Sequence, residues 1–327
     1  MTGALRWGLI GTGGIAAKFA AALQATDSGR AVAVGSRRRA SAEAFAERHG
    51  IARRHEGYEA LVADPEVDAV YVATPHPAHH AAARLALEAG RPTLVEKPFT
   101  MDAAQARDLV ALARERRVPL LEAMWTRFLA RTATVRRLVR EGAVGDVRLL
   151  VADHCQWFPY DPGHRVFNPA LGGGALLDLG IYPVSYASML LGAPDGVVAR
   201  STPAATGVDA TTSVLLTYGS GAHAVLTCTL TAAGATRASV VGTEGRIELE
   251  GPFYAPGEVL LVRRDGAGER FEHADEGRGM SHEAAELARM VDAGELESPL
   301  LPLDETVAVM DVLDEVRRQV GLAYPPG

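Results

Sequence analysis

The feature that most constrains this chain lies near its N-terminus. Leu5 to Ile10 is a short apolar run, and Gly11-Thr12-Gly13-Gly14-Ile15-Ala16 follows it and opens a helical pattern carried by Phe19 and Leu23. Strand, glycine turn and helix in this order make the G-x-G-x-x-A form of a dinucleotide-binding unit. Gly11 permits the tight turn, Gly13 lets a pyrophosphate approach the main chain, and small Ala16 lets helix and strand pack closely. The helix N-terminus, with Gly14 and Ile15 in its first turn, then faces the phosphates. A glycine turn also joins strands to helices where no ligand binds, so the following elements carry the decision.

They repeat the pattern. The next strand, Ala31 to Gly35, ends where such folds place the residue that meets the adenosine ribose. A carboxylate there would bond the 2′-hydroxyl and repel a 2′-phosphate, but this chain has Ser36-Arg37-Arg38-Arg39. A hydroxyl and guanidinium groups suit a phosphate, so the turn predicts NADP(H) over NAD(H). One or two of the arginines alternatively form only a solvated basic turn before a helix at Ser41 to His49.

Val67 to Thr74 reads as a buried strand, followed by Pro75-His76-Pro77-Ala78-His79-His80 and an alanine-rich helix. Thr93 to Pro98 reads as another strand, with Thr100 or Asp102 as the cap of a helix at Ala103 to Arg116, and Val118 to Glu122 as the sixth strand. Strands alternating with helices at this interval predict a parallel, doubly wound sheet, and ligands of such sheets sit outside the carboxyl ends of the strands. Thr74, Pro75, His79, Glu96 and Lys97 are accordingly expected at a cofactor. The histidine cluster lacks a matching carboxylate or cysteine set, and no metal site is expected.

The chain then changes character. Ala123 to Phe128 leads out of the first domain, expected to span residues 1–123, and Trp125 and Arg127 should border the cofactor. Residues 124–327 are expected to form an α+β domain with a helix near Thr132 to Glu141, a strand at Asp146 to Cys155, and antiparallel strands at Thr211 to Thr217, Ala222 to Leu230, Arg237 to Val241, Arg246 to Leu249 and Glu258 to Arg263. Capped amphipathic helices at Ser281 to Ala293 and Asp304 to Val320 close it, the last one able to pack back on the first domain.

Within this half, Leu171 to Pro183 combines three glycines with an apolar helical run that places Asp178 and Tyr182 on one face. An acid and a phenol one turn apart are either a satisfied core pair or a site. Pro183 cannot donate to the carbonyl of Leu179, so the helix should kink or restart beside Tyr182. Phe158, Tyr160 and Arg165 are candidates for the substrate pocket, with aromatic faces suited to a sugar ring or an arene diol; each could equally be core. His154 and His164 are weaker candidates.

A net charge of −7 gives no attraction to phosphate backbones or anionic membranes. Two cysteines, Cys155 and Cys228, read as reduced packed thiols, and neither a leader nor an uncharged stretch of spanning length is visible. A cytoplasmic protein is expected.

Gly11-Thr12-Gly13, Glu96-Lys97-Pro98, the Asp178 helix and the ending Glu297-Ser298-Pro299-Leu300 together resemble the glucose-fructose oxidoreductase, inositol dehydrogenase and rhizopine catabolism (Gfo/Idh/MocA) superfamily over nearly the whole chain. Glu122 to Phe128 and Gly172 to Tyr182 resemble its dimeric dihydrodiol dehydrogenases and NADP-dependent D-xylose dehydrogenases. The resemblance implies a Rossmann domain, a second domain with an open, largely antiparallel sheet whose exposed face often forms a dimer or tetramer interface, a cis peptide before Pro98, and hydride transfer involving a nicotinamide. Many relatives carry a histidine four residues after the helix aspartate. Tyr182 stands there in this chain, which agrees with the dihydrodiol and glucose-fructose branches, whose proton-transfer residue is a tyrosine.

An ordinary phenol, with a pKa of about 10, is too little ionised at neutral pH to serve as a base. A neighbouring ammonium lowers it, and the resemblance makes Lys97 that ammonium. Asp178 would bond a substrate hydroxyl or fix Lys97. The expected activity is an NADP(H)-dependent oxidoreductase acting on a sugar, dihydrodiol or related polyol. Alternatives are a biosynthetic keto-sugar reductase, an NAD-dependent glycosidase, and a non-catalytic cofactor-sensing regulator on the same fold.

Overall fold

The computed structural model describes residues 4–26, 29–273 and 279–325. Its contacts divide into two units, Met1–Trp125 with Gly277–Val307 and Thr126–Glu276 with Ala308–Gly327.

The first unit runs β1 (Arg6–Ile10), α1 (Gly14–Gln24), β2 (Arg30–Ser36), α2 (Arg39–His49), β3 (Arg53–Glu56), α3 (Tyr58–Val62), β4 (Ala69–Val72), α4 (His79–Glu88), β5 (Thr93–Glu96), α5 (Ala103–Arg116) and β6 (Leu120–Ala123). All six strands are parallel in the order β3-β2-β1-β4-β5-β6, the doubly wound sheet expected from the sequence. β4, β5 and β6 are buried at every residue, because helices cover both faces of such a sheet. Phe19 stacks on Tyr71 with centroids 3.9 Å apart and meets the edge of Trp7 at 5.2 Å, tying α1 to the sheet. Of the two candidate caps for α5, Asp102 serves: its Oδ1 accepts from Gln105 N–H at 2.8 Å.

The second unit contains α6 (Ala130–Arg140), β7 (Val147–Cys155), a π-helical segment (Leu176–Gly180), α7 (Ile181–Leu191) and strands β8 (Gly196–Pro203), β9 (Asp209–Thr217), β10 (His223–Thr229), β11 (Ala238–Gly242), β12 (Gly245–Leu249), β13 (Val259–Arg263) and β14 (Gly268–Phe271). They form one sheet in the order β14-β13-β12-β11-β7-β10-β9-β8. The largely antiparallel sheet expected is present, but β10, read as antiparallel throughout, runs parallel to β7. The π segment and α7 cover one face of β7 and β10, where Leu150, Ala152 and His154 point. On the opposite face, the registers bring Val151, Val225, Leu215 and Val198 into one row across β7, β10, β9 and β8.

α8 (Met280–Ala293) returns to the first unit and packs against α1 and β6, and α9 (Leu303–Val320) follows it. Gly279 holds the N-cap position of α8 at φ 79°. The described strand β4 is shorter than the expected Val67 to Thr74. Strands β3, β8 and β14 were not anticipated. Each lies at a sheet edge and carries charge, proline or glycine instead of an apolar alternation.

No uncharged stretch of spanning length is expected, and the segment that reaches that length carries Asp178. Pro169–Leu191, 23 residues with a mean hydropathy of 1.3 over its most apolar window, reaches the length and hydropathy of a membrane span, yet 78% of that window is buried within the protein. It serves here as a core element.

Glu283 on α8 is 1% exposed, and neither of its carboxylate oxygens has a hydrogen-bond partner. Burial, with the like charges of Glu96 and Glu122 nearby, pushes its pKa well above the carboxylate range. The folded chain therefore keeps a proton that the unfolded chain releases near pH 4.3, so stability falls as pH rises from there toward the folded-state pKa. Glu283→Gln, which cannot ionise, should unfold about 3 °C or more above the wild type at pH 8 and close to it at pH 4.5. Thermal melts giving the same difference at both pH values would contradict this.

Candidate active site

In the first unit, the glycine turn after β1 fits a dinucleotide. Gly11 sits at φ 112°, and a Cβ there would lie 2.5 Å from the Ala73 carbonyl oxygen. Gly13 and Gly14 are exposed, with nothing within 4 Å of where a Cβ would be, and no side chain caps α1. Open space in front of uncapped N–H groups is what a pyrophosphate requires. Thr12 and Ile15 flank it, half-exposed. At the end of β4, Thr74 presents a buried hydroxyl with no partner, and Pro75 after it is exposed.

After β2, Ser36 Oγ accepts from Arg38 N–H at 3.4 Å. Arg39 is ion-paired with Glu43 at 2.9 Å, whereas Arg37 and Arg38 are exposed and have no ion-pair partner among the described residues. Two exposed guanidinium groups beside a hydroxyl fit a 2′-phosphate.

The segment carrying Lys97 is held from three sides. Glu96, 6% exposed, accepts from the Tyr71 hydroxyl and, through Oε2, from the Lys97 N–H at 3.1 Å. The Phe99 N–H donates to Glu122 Oε1 at 3.2 Å. His79 lies between two carbonyls, Nδ1 at 2.9 Å from Pro98 O and Nε2 at 2.9 Å from Thr74 O. Complete burial and the Lys97 charge push its pKa down, against the two acceptors, which favour a doubly protonated ring. His79, expected at the cofactor, is 0% exposed and acts on Thr74 and Pro98. The Lys97–Pro98 peptide is cis, as expected. The described residues contain no group of three or more metal-ligating side chains.

The second unit carries the Asp178 segment. Gly174, at φ 119°, opens it; a Cβ there would collide with Asp209 Oδ1. Asp209 Oδ2 accepts from Leu176 N–H and from Thr212 Oγ1, both at 2.7 Å, and burial pushes this carboxyl up to about 7. The segment then winds as a π helix to Gly180 and restarts as α7 at Ile181, as Pro183 required. Asp178 and Tyr182 are 4% and 8% exposed. Asp178 has a partner the sequence did not indicate: Arg165 donates Nη1 to Oδ1 and Nη2 to Oδ2, both at 3.0 Å.

Tyr182 sits among rings. Its centroid is 5.1 Å from that of His154 and 4.9 Å from that of Tyr254, and these two are 4.4 Å apart. His154, 1% exposed on β7, donates Nδ1–H to the Leu179 carbonyl at 3.2 Å, the carbonyl that Pro183 cannot serve. Its Nε2 meets Gln156 Nε2 at 3.0 Å, and the same amide nitrogen donates to Tyr254 Oη at 3.2 Å.

The loop bearing Tyr254 is fixed in turn. Arg131, 2% exposed, donates to the carbonyls of Glu250, Pro252 and Ala255, and the Thr126 hydroxyl donates to the Tyr254 carbonyl at 2.9 Å.

The other expected residues are placed as follows. Trp125 is half-buried at the start of the 3-10 turn Trp125–Phe128. Arg127 is 3% exposed and donates to the carbonyl and hydroxyl of Ser185, so it fastens α7. Phe158 and Tyr160 line, with Trp157, Phe167, Thr202 and Thr211, a hollow of about 390 Å³. Arg165 instead reaches Asp178. Sequence reasoning missed Tyr254 and Gln156 and undervalued His154. An aromatic pair inside the Pro- and Gly-flanked loop Gly251 to Gly257, and the inward phase of β7, were the available signals.

Comparisons with known proteins place the chain in a family. Residues 5–123 match the oxidoreductase family with an NAD-binding Rossmann fold, and residues 132–248 match the GFO/IDH/MocA C-terminal domain. The chain is 38% identical to trans-1,2-dihydrobenzene-1,2-diol dehydrogenase of Macaca fuscata fuscata, over 98% of each protein. Among solved structures, it is 32% identical to a 3-ketoreductase from Actinomadura kijaniata in complex with NADP and TDP-benzene, with a TM-score of 0.86 over 97% of this chain and 98% of the other. An aldose-aldose oxidoreductase from Caulobacter crescentus complexed with glycerol is 25% identical, with a TM-score of 0.87 over 97% of each chain.

Proposed function

We propose that this chain, which belongs to the GFO/IDH/MocA oxidoreductase family, is an NADP(H)-dependent dehydrogenase or reductase of a sugar, dihydrodiol or similar polyol. The observation that carries the reading is the phenol of Tyr182, almost buried, at the restart of α7 and ringed by His154 and Tyr254.

When bound, the nicotinamide takes or returns the hydride at the substrate carbinol carbon. The chain moves the proton: Tyr182 accepts it from the alcohol in oxidation and returns it to the carbonyl oxygen in reduction. Lys97 supplies the positive charge that makes an ionised phenol accessible near neutral pH. Asp178, paired with Arg165, orders the guanidinium and the turn before Tyr182. Gly11, Thr12, Gly13, Gly14 and Ile15 bind the pyrophosphate, Thr74 and Pro75 line the cofactor, and Ser36 with Arg37 and Arg38 reads the 2′-phosphate. The exposed apolar row Val151, Val225 and Val198, at 41%, 43% and 53% exposure, supports self-association through the sheet of the second unit. Two free thiols suit the cytoplasm.

Three measurements test this. Tyr182→Phe and Lys97→Ala should each lower kcat by at least about a hundredfold on aldoses or dihydrodiols with NADP⁺, within the range for a lost proton-transfer group; full turnover in either variant rejects its assigned role. Arg37→Ala should weaken NADPH binding about tenfold or more and leave NADH binding nearly unchanged, and equal losses would show that the turn does not read the 2′-phosphate. Light scattering should find a homo-oligomer that Val225→Glu dissociates; a monomeric wild type rejects the sheet interface.

A further inference from the structure

The orientation of the Gln156 amide follows from its neighbours. The Leu179 carbonyl is an acceptor only, so the nitrogen of His154 facing it, Nδ1, carries a hydrogen. In the neutral ring, Nε2 is then a lone pair, and the Gln156 group 3.0 Å away must be the NH₂ end. The second hydrogen of that NH₂ goes to Tyr254 Oη at 3.2 Å. Both amide hydrogens are thereby used. Oε1 is left without a partner among the described residues and is not among the atoms shut off from solvent. The backbone cannot swing away, because Gln156 N–H donates to the Thr229 carbonyl at 3.0 Å.

This acceptor belongs to the group of side chains gathered around Tyr182. The two groups that orient it, His154 and Tyr254, are the two whose rings lie 5.1 and 4.9 Å from that of Tyr182. An acceptor-only atom held there recognises a donor, and the donor a polyol offers is a second hydroxyl. We propose that Gln156 is a specificity-determining residue whose Oε1 accepts a hydrogen bond from the substrate hydroxyl on the carbon next to the one that reacts. The inference rests on Tyr182 being the proton-transfer residue. It explains in physical terms why a vicinal diol or sugar would be preferred over a simple alcohol: an analogue lacking the hydroxyl leaves the oriented carbonyl unpaired inside a closed complex.

The test is a matched pair differing in one hydroxyl, D-glucose and 2-deoxy-D-glucose, oxidised with NADP⁺. The wild type should prefer D-glucose by about tenfold or more in kcat/KM. Gln156→Met, of similar shape and without the carbonyl, should lose about tenfold or more in kcat/KM on D-glucose relative to its loss on the deoxy sugar, mainly through KM, so that the preference between the two sugars collapses. Gln156→Leu, prepared beside it, covers a methionine variant that fails to fold, with NADPH binding and thermal unfolding reporting an intact protein. Equal losses on both sugars would make the residue structural, unchanged rates on both would show that it reads nothing, and a wild type without preference for D-glucose would likewise overturn the proposal. Tyr182→Phe in the same assay separates the two readings, since retained turnover there rejects the proton-transfer role, whereas the Gln156 inference is judged on the ratio between the sugars.

Discussion

The second unit is arranged around one carbonyl. Pro183 has no N–H, so the helix that carries Tyr182 cannot serve the Leu179 oxygen in the regular way, and a buried carbonyl left alone costs about 1 to 3 kcal/mol. His154 meets it from the sheet. That single bond fixes which histidine nitrogen carries the hydrogen, which end of Gln156 faces inward, and how Tyr254 is approached. The helix irregularity and the polar order around the phenol are therefore one arrangement.

The first unit uses buried carboxylates for a comparable purpose. Glu96 and Glu122 each accept a main-chain N–H on either side of Pro98, and His79 lies against its carbonyl, so the peptide leading from Lys97 is held in direction as well as in place. Concentrating these acids has an electrostatic consequence. Glu283 is left as a buried acid that the fold keeps protonated.

How much was legible in the sequence depended on whether a signal was local. The glycine turn, the buried parallel strands, the restart at Pro183 and the basic turn after β2 all announce themselves within a few residues. The three strands that escaped notice, Arg53–Glu56, Gly196–Pro203 and Gly268–Phe271, are edges, where solvent on one side removes the periodicity that marks a strand. The partners of the phenol escaped for a different reason. Arg165 meets Asp178, and Tyr254 meets Tyr182, only after segments distant in the chain converge, and no spacing rule encodes that. The bonds of buried Arg127 to Ser185 likewise join segments distant in the chain.

The parallel pairing of β7 with β10 bears on how the protein is made. Residues 156–222, which include the π segment, Tyr182 and the β8–β9 hairpin, all lie in the crossover between these two central strands. The sheet cannot zip at its middle until that excursion has been laid down, and non-local pairings of this kind are slow because the loop must close before any contact rewards it. Synthesis order compounds this, since β10 leaves the ribosome well after β7. The segment carrying Tyr182 therefore belongs to the loop whose closure the central pairing of the sheet requires.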